Sequence, residues 1–269
     1  MNVAFLGGGN MANALIGGLV ARGFDPRAIS VVDVSPAARE RIALHGVRVS
    51  TAPDGASAKA DTLLLAVKPQ DARAALASVA GSVHGKLVIS IAAGLRLAAL
   101  SSWLGGHRKL VRCMPNTAAL VGAGIAGLYA LPEVSAEERG RAQAILGAVG
   151  EVVWVDDERL LDTVTAVSGS GPAYVFWLIE QLAAFAQRAG IDSAQALKLA
   201  THTVLGSGKL AAASDEPPAE LRRKVTSKGG TTEAALRVFE DEKLAERFAR
   251  ALAAATRRGA ELGDELGKD

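Results

Sequence analysis

The sequence predicts an α/β domain built on a parallel sheet, followed by an all-α helical domain. Three observations predict it. Short β-branched runs alternate with alanine-rich amphipathic stretches over the first half, a glycine turn closes the first of these runs, and the strand signal stops after about residue 157.

The expected strands are 2–7, 29–34, 62–67, 86–94, 109–115 and 151–156, with helical stretches at 10–22, 36–45, 70–80, 95–103 and 135–148. Several strands are apolar throughout, as expected when helices cover both faces of a sheet. Spacing of this kind implies βαβ units. Beyond residue 157, "DERLLDTVTAVSG" and "PAYVFWLIEQLAAFAQRAG" have helical period, with Gly190 placed as a C-cap. Asp192 or Ser193 opens another helix, "DEPP" (215–218) breaks it, and a last helix is expected over 233–262. The domains are therefore read as 1–157 and 158–269, and the alanine- and leucine-rich helical half is expected to bury its broad apolar faces against a second copy, the alternative being that it packs only on its own α/β domain.

Composition narrows the class. A hydrophobic share of 49% with 22% charged residues is that of a globular protein, and 4% aromatics favours close helix packing over a β-sandwich. A net charge of +2 is too mild to argue for a nucleic-acid partner. No apolar run reaches the ~20 residues that span a bilayer, and the N-terminus lacks a basic n-region, so the expected location is cytoplasmic. The single cysteine, Cys113, excludes an internal disulfide and sits in an apolar run as a core residue. The four histidines show no ligand spacing, so no metal site is expected.

The motif "FLGGGNMANALIGGL" sets Gly7, Gly9 and Ala12 in a G-x-G-x-x-A pattern between a strand and a helix. Dinucleotide binding requires that order: a tight turn at Gly7, close backbone approach at Gly9, and a small residue where helix meets strand. The helix start then offers N–H groups and a positive dipole to the pyrophosphate, with Asn10 and Met11 beside it. This is the Rossmann arrangement. Asp33 ends the second strand, where an acid would bond the adenosine ribose and favour NADH, while Ser35 and Arg39 nearby could serve a 2′-phosphate. "AVKP" puts Lys68 and Pro69 just past a parallel strand. "RCMPNT" offers Asn116 either as a nicotinamide partner or as a turn residue.

"SKGGTT" (227–232) opens a helix, with Thr231 or Thr232 as the expected N-cap. Successive free N–H groups of Gly229, Gly230 and Thr231 would form an anion nest for a small substrate carboxylate.

Taken together, "FLGGGNMA", "AVKPQ", "SIAAG", "RCMPNT", "VSGSGPAYVF" and "VTSKGGTTEAAL" resemble the pyrroline-5-carboxylate reductases over residues 1 to about 262. The resemblance implies a Rossmann domain followed by a helical dimerisation domain, often assembled as decamers of five dimers. It implies reduction of a cyclic imine to L-proline with NADPH or NADH. It further implies that Ser227–Thr232 holds the substrate carboxylate, that Thr232 bonds the ring nitrogen, and that the nicotinamide lies near Ala92, Ala93 and Asn116 in a pocket completed at the dimer interface. Lys228 stands where many members have proline, and Ala118 where proline usually follows "MPNT". Two rivals are weighed against this reading. A β-hydroxyacid or 6-phosphogluconate-type dehydrogenase would need a lysine base in the helical half, where Lys198 and Lys209 lack the expected flanking pattern. A non-catalytic dinucleotide sensor would have no reason for "SKGGTT".

Overall fold

The computed structural model describes residues 1–267. Its elements in chain order are β1 (Val3–Leu6), α1 (Asn10–Ala21), β2 (Ile29–Val32), α2 (Pro36–Ala43), β3 (Arg48–Ser50), α3 (Gly55–Lys59), β4 (Thr62–Leu65), α4 (Ala72–Ala77), β5 (Leu87–Ser90) and α5 (Leu97–Trp103). They continue as β6 (Leu110–Met114), β7 (Gly124–Ala130), α6 (Ala136–Leu146), β8 (Gly150–Trp154), α7 (Leu160–Val164), α8 (Gly171–Arg188), α9 (Ser193–Ala212), α10 (Pro218–Lys224), α11 (Thr231–Asp241) and α12 (Leu244–Leu266).

The strands form one sheet in the order β3-β2-β1-β4-β5-β6-β7-β8. All pairings are parallel except β6 with β7, where Val111 faces Ala130 and Met114 faces Gly127. Alternation along β1 shows why the strand is apolar throughout. Val3 and Phe5 enter the core on one face and Ala4 and Leu6 the core on the other, and all four are buried. The order 3-2-1-4-5-6 reverses direction between β1 and β4, which opens the ligand crevice of such sheets at the carboxyl ends of those two strands.

The chain separates into two compact units, Met1–Ser170 with the chain from Ala255 onward, and Gly171–Ala254. In the first unit, a buried charge cluster ties the sheet to its flanking helices. The Arg112 guanidinium on β6 donates to Glu158 at 3.2 Å and to Asp162 at 3.4 Å, and Glu158 also accepts the Leu97 N–H at 2.8 Å. In the second unit the helices are mostly open. Among their apolar side chains, Trp177 is 58% and Phe185 67% exposed, while Ala183 of α8 and Ala196 and Ala200 of α9 are buried. An apolar surface of this extent marks an interaction face.

Several expectations need correction. The sheet is not purely parallel, because β7 runs antiparallel to β6, and both β7 and the short edge strand β3 were absent from the expected strands. The last helix is two helices: Lys243 adopts φ 52° and separates α11 from α12. Gly190 does close α8, with φ 97° and its N–H on the Gln187 carbonyl at 3.0 Å, and the Asp192 carboxylate caps α9 by accepting from Ala194 and Gln195.

Candidate functional site

The first unit carries the dinucleotide features at the β1–β4 switch point. Gly7 has φ 101°, donates its N–H to the Val32 carbonyl at 2.8 Å, and passes so close to β4 that a Cβ would lie 2.7 Å from the Ala66 backbone. No side chain could stand there. Gly9 is different: it is exposed, a Cβ would have nothing nearer than the Ala66 carbonyl at 4.0 Å, and as N-cap of α1 it offers no side-chain cap. The space above Gly9 and the uncapped N–H groups of Asn10 and Met11 fit a pyrophosphate. Ala12 is fully buried against the sheet, as the motif requires.

Around this turn the other residues fall as follows. Asp33 does not point away from the glycines: its Oδ2 accepts the Gly8 N–H at 2.6 Å and its Oδ1 the Ser35 N–H at 2.7 Å. Lys68 is exposed at the mouth of β4, and Pro69 starts a short 3-10 turn. Ala92 is buried and Ala93 exposed in the turn after β5, which the left-handed Gly94 (φ 79°) closes.

Asn116 holds structure with both ends of its amide. Its Nδ2 donates to the Ser168 carbonyl at 3.2 Å, and its Oδ1 accepts the Ile125 N–H at 3.2 Å. Ser168 lies in a π-helical turn, Thr165–Gly169, that follows α7; the wider turn loosens the regular ladder and lets a side chain reach that carbonyl. "VSGSGPAY" therefore spans a π turn and the first residues of α8.

Cys113 is wholly buried and its thiol is pushed far up by that burial, so it stays protonated and inert as a core side chain. His45 contacts Asn13 at 3.0 Å and His107 the Lys86 carbonyl at 2.9 Å. Burial holds the His107 ring below its ordinary pKa.

In the second unit, each glycine of "SKGGTT" has a local cause. Gly229 needs φ 72°, and a Cβ on Gly230 would sit 2.8 Å from Ser227 Oγ. The nest is not free as expected. Gly230 donates its N–H to the Ser227 carbonyl at 3.0 Å, and Gly229 donates to the Glu233 carboxylate at 2.7 Å. The N-cap of α11 is Gly230, with no side-chain cap, rather than either threonine. Thr231 is exposed in the first turn and Thr232 half-buried behind it. Glu233 also lines a cavity of about 1220 Å³ within this unit, together with Tyr174, Trp177, Thr226, Arg237 and Phe248.

The residues that sequence reasoning did not single out are Arg112, Glu158, Asp162, Arg41 and Glu233. Arg41 donates to the Gly8 carbonyl at 2.9 Å from 33 positions away, which no local pattern signals. Glu233 follows the motif directly, and an acid at the third helical position is a known signature for reaching back to free N–H groups.

A dinucleotide turn at the switch point of a Rossmann sheet, joined to a helical unit with an uncovered apolar face, defines the class: a self-associating NAD(P)H-dependent oxidoreductase. The family model described as pyrroline-5-carboxylate reductase dimerisation matches residues 158–262, and one described as NADP oxidoreductase, coenzyme F420-dependent, matches residues 2–94. The pyrroline-5-carboxylate reductase of Pseudomonas aeruginosa is 44% identical over 99% of this chain and 98% of its own length; that of Synechocystis is 43% identical over 98% of each. Among solved structures, a pyrroline-5-carboxylate reductase from Coxiella burnetii superposes with a TM-score of 0.93 at 38% identity, covering 97% of this chain and 98% of that one. The Plasmodium falciparum enzyme with NADP bound reaches 0.84 at 26% identity, covering 98% of each. The chain belongs to the pyrroline-5-carboxylate reductase family.

Proposed function

We propose that this chain reduces 1-pyrroline-5-carboxylate to L-proline, the last step of proline biosynthesis, with NADPH or NADH as donor. The observation that carries the reading is the pairing, in one chain matched end to end by curated relatives, of an open dinucleotide turn with the "SKGGTT" loop.

In this reading residues 1–157 hold the cofactor and 158–269 provide dimerisation and substrate binding. Gly7, Gly9, Asn10 and Met11 cradle the pyrophosphate, Asp33 lies at the adenosine end, and Lys68, Pro69, Ala92, Ala93 and Asn116 surround the nicotinamide. When bound, the cofactor supplies a hydride to the imine carbon. A protonated imine is already electrophilic, so the chain's task is orientation at near-attack distance rather than strong acid catalysis. Thr232 bonds the ring nitrogen and relays its proton. Ser227, Gly229, Gly230 and Thr231 form the loop that holds the carboxylate. The Thr231 N–H heads α11, and the Gly229 N–H is offered once Glu233 yields it. Gly230, whose N–H bonds the Ser227 carbonyl, lets the backbone pass close to Ser227. The dimers assemble further into decamers, and the enzyme works in the cytoplasm. No helix among the described residues is long and apolar enough to cross a membrane.

The test is oxidation of NADPH and NADH, followed by absorbance, with purified protein and 1-pyrroline-5-carboxylate. Rapid oxidation with either is expected. Folded protein that binds the dinucleotide yet oxidises neither would overturn the reading.

A further inference from the structure

The turn after β5, which carries Ala92 and Ala93, is closed by a glycine that the far end of the chain packs against. Gly94 is left-handed at φ 79°. A Cβ added there would lie 3.1 Å from Leu266 Cδ1, 3.7 Å from Leu262 Cβ and 3.8 Å from the Gly263 backbone nitrogen. The contact is bare on the other side too. A Cβ on Gly263 would lie 3.1 Å from the Gly94 carbonyl oxygen and 3.0 Å from Arg96 Nε. Two backbones far apart in sequence, both within the first unit, thus pass with no side chain between them.

Just beyond Gly94 a clamp fastens the same stretch. Arg96 Nη2 donates to the Ala260 carbonyl at 3.2 Å and pairs with Asp264 Oδ1 at 3.0 Å. Glu158 holds the next residue, accepting the Leu97 N–H at 2.8 Å. Leu266 is seated on the core cluster that contains Ala92, Leu95 and Leu97. A glycine in a turn rotates freely unless its neighbours remove that freedom. Here the neighbour is α12, and not the strand or the helix that the turn connects. Closing the turn takes one left-handed residue. It does not call for a glycine, a leucine and a carboxylate of the last helix to converge on it.

We propose that the last turns of α12 are a positioning element for hydride transfer: Gly263, Leu266 and the Asp264–Arg96 pair fix the Ala92–Gly94 turn against which the nicotinamide is seated. They act through the turn and not by contact with the cofactor. The proposal rests on the reading that Ala92 and Ala93 face the nicotinamide. Transfer between bound partners is lost steeply as their approach is displaced, so a turn that shifts slightly costs rate.

The test is a single turnover of the full-length protein, saturated with whichever of NADPH and NADH the wild type oxidises and mixed with excess 1-pyrroline-5-carboxylate. Affinity for 5′-AMP is measured alongside by titration calorimetry. Gly263→Ala presses on the Gly94 carbonyl, and its rate constant is expected to fall about tenfold with the amplitude intact. Leu266→Ala and Asp264→Ala loosen the turn without pressing on it, and each is expected to lose about threefold. Asp264→Asn, which keeps an oxygen acceptor for Arg96, should recover most of the loss. Affinity for 5′-AMP, which reports the distant adenosine end, should stay within about twofold throughout. A purely structural role would lower the amplitude with the folded fraction and leave the rate constant of the folded molecules alone. Rate constants within about twofold of wild type in all variants therefore overturn the proposal. A rate loss matched by an equal loss of 5′-AMP affinity overturns it as well, since the whole unit has then changed. If Gly263→Ala fails to fold, Leu266→Ala and the two Asp264 variants carry the test. A wild type that binds the dinucleotide yet oxidises none of it overturns the proposed function and this proposal with it, so the wild type alone tells the two failures apart.

Discussion

Two glycine loops lead into helices in this chain, and they treat their amides in opposite ways. Ahead of α1, Gly9 leaves the helix start uncapped and the space above it open. Ahead of α11, the Gly229 N–H is held by the chain's own Glu233 and the Gly230 N–H by Ser227. The same composition therefore leaves the amides uncapped by the chain in one unit and bonded by it in the other. Glycine content ahead of a helix shows that backbone must bend or pass closely. It does not show that the amides are free.

The comparison can be broken at its strongest point first. Gly7→Ala adds a Cβ 2.7 Å from the Ala66 backbone at a residue with φ 101°, and both partners are backbone that cannot give way. Dinucleotide binding by calorimetry should fall below detection; affinity within about threefold of wild type would show that the turn tolerates more than its geometry allows. Next in size is Thr232→Ala, for which turnover should drop about 100-fold, in the range of a lost positioned proton-transfer group, with cofactor affinity unchanged. Unaltered turnover would remove Thr232 from the chemistry.

Glu138 offers a contrast to Glu233, since it is a carboxylate that caps its helix permanently. It is 3% exposed, accepts the Ser135 N–H at 2.9 Å, and pairs with Lys109 at 2.8 Å. Burial acts to raise its pKa, but the bonds from Lys109 and Ser135 outweigh that and hold it below the ordinary 4.5. A carboxylate so held stabilises the fold above its unfolded pKa and loses that contribution as pH falls through the lower folded value. Urea midpoints measured from pH 7 to pH 3 should decline below about pH 4.5 in the wild type. Glu138→Gln should cost about 2 kcal/mol at neutral pH and flatten the decline; a parallel decline would place the acid sensitivity elsewhere.

The smallest expected effect concerns Glu233. In Glu233→Gln a neutral amide oxygen replaces a charged acceptor on the Gly229 N–H, so the substrate carboxylate meets a weaker competitor. The KM for 1-pyrroline-5-carboxylate should fall about threefold with kcat within twofold. A raised KM would mean that Glu233 braces the loop for substrate instead of competing with it.

How much of this was legible in the sequence follows from distance along the chain. The β1 strand, its turn and α1 are contiguous, and their order alone carried the dinucleotide reading. Strand β7 was hidden because Gly124 and Gly127 break its apolar pattern. Gly127 is glycine for a reason seen only in three dimensions, since a Cβ there would lie 2.7 Å from Val164 of α7. The Arg112 cluster joins positions 46 and 50 residues apart, and Arg41 meets Gly8 across 33. Such pairs leave no trace in a local window. In the "SKGGTT" loop the sequence shows the bend but not its bonding: Glu233 is only four residues from Gly229, and its carboxylate takes an amide that glycine content alone leaves open.

The division of α12 has a consequence for synthesis. Its last turns belong to the first unit, where Gly263 lies so close to Gly94 that a Cβ would meet the Gly94 carbonyl at 3.1 Å, Leu266 packs against the core, and Arg96 pairs with Asp264 at 3.0 Å. On the ribosome, the unit begun first is thus finished last. The turn after β5 stays unbraced until the whole helical unit has emerged, so a chain released early carries a complete glycine cradle on an unsealed domain.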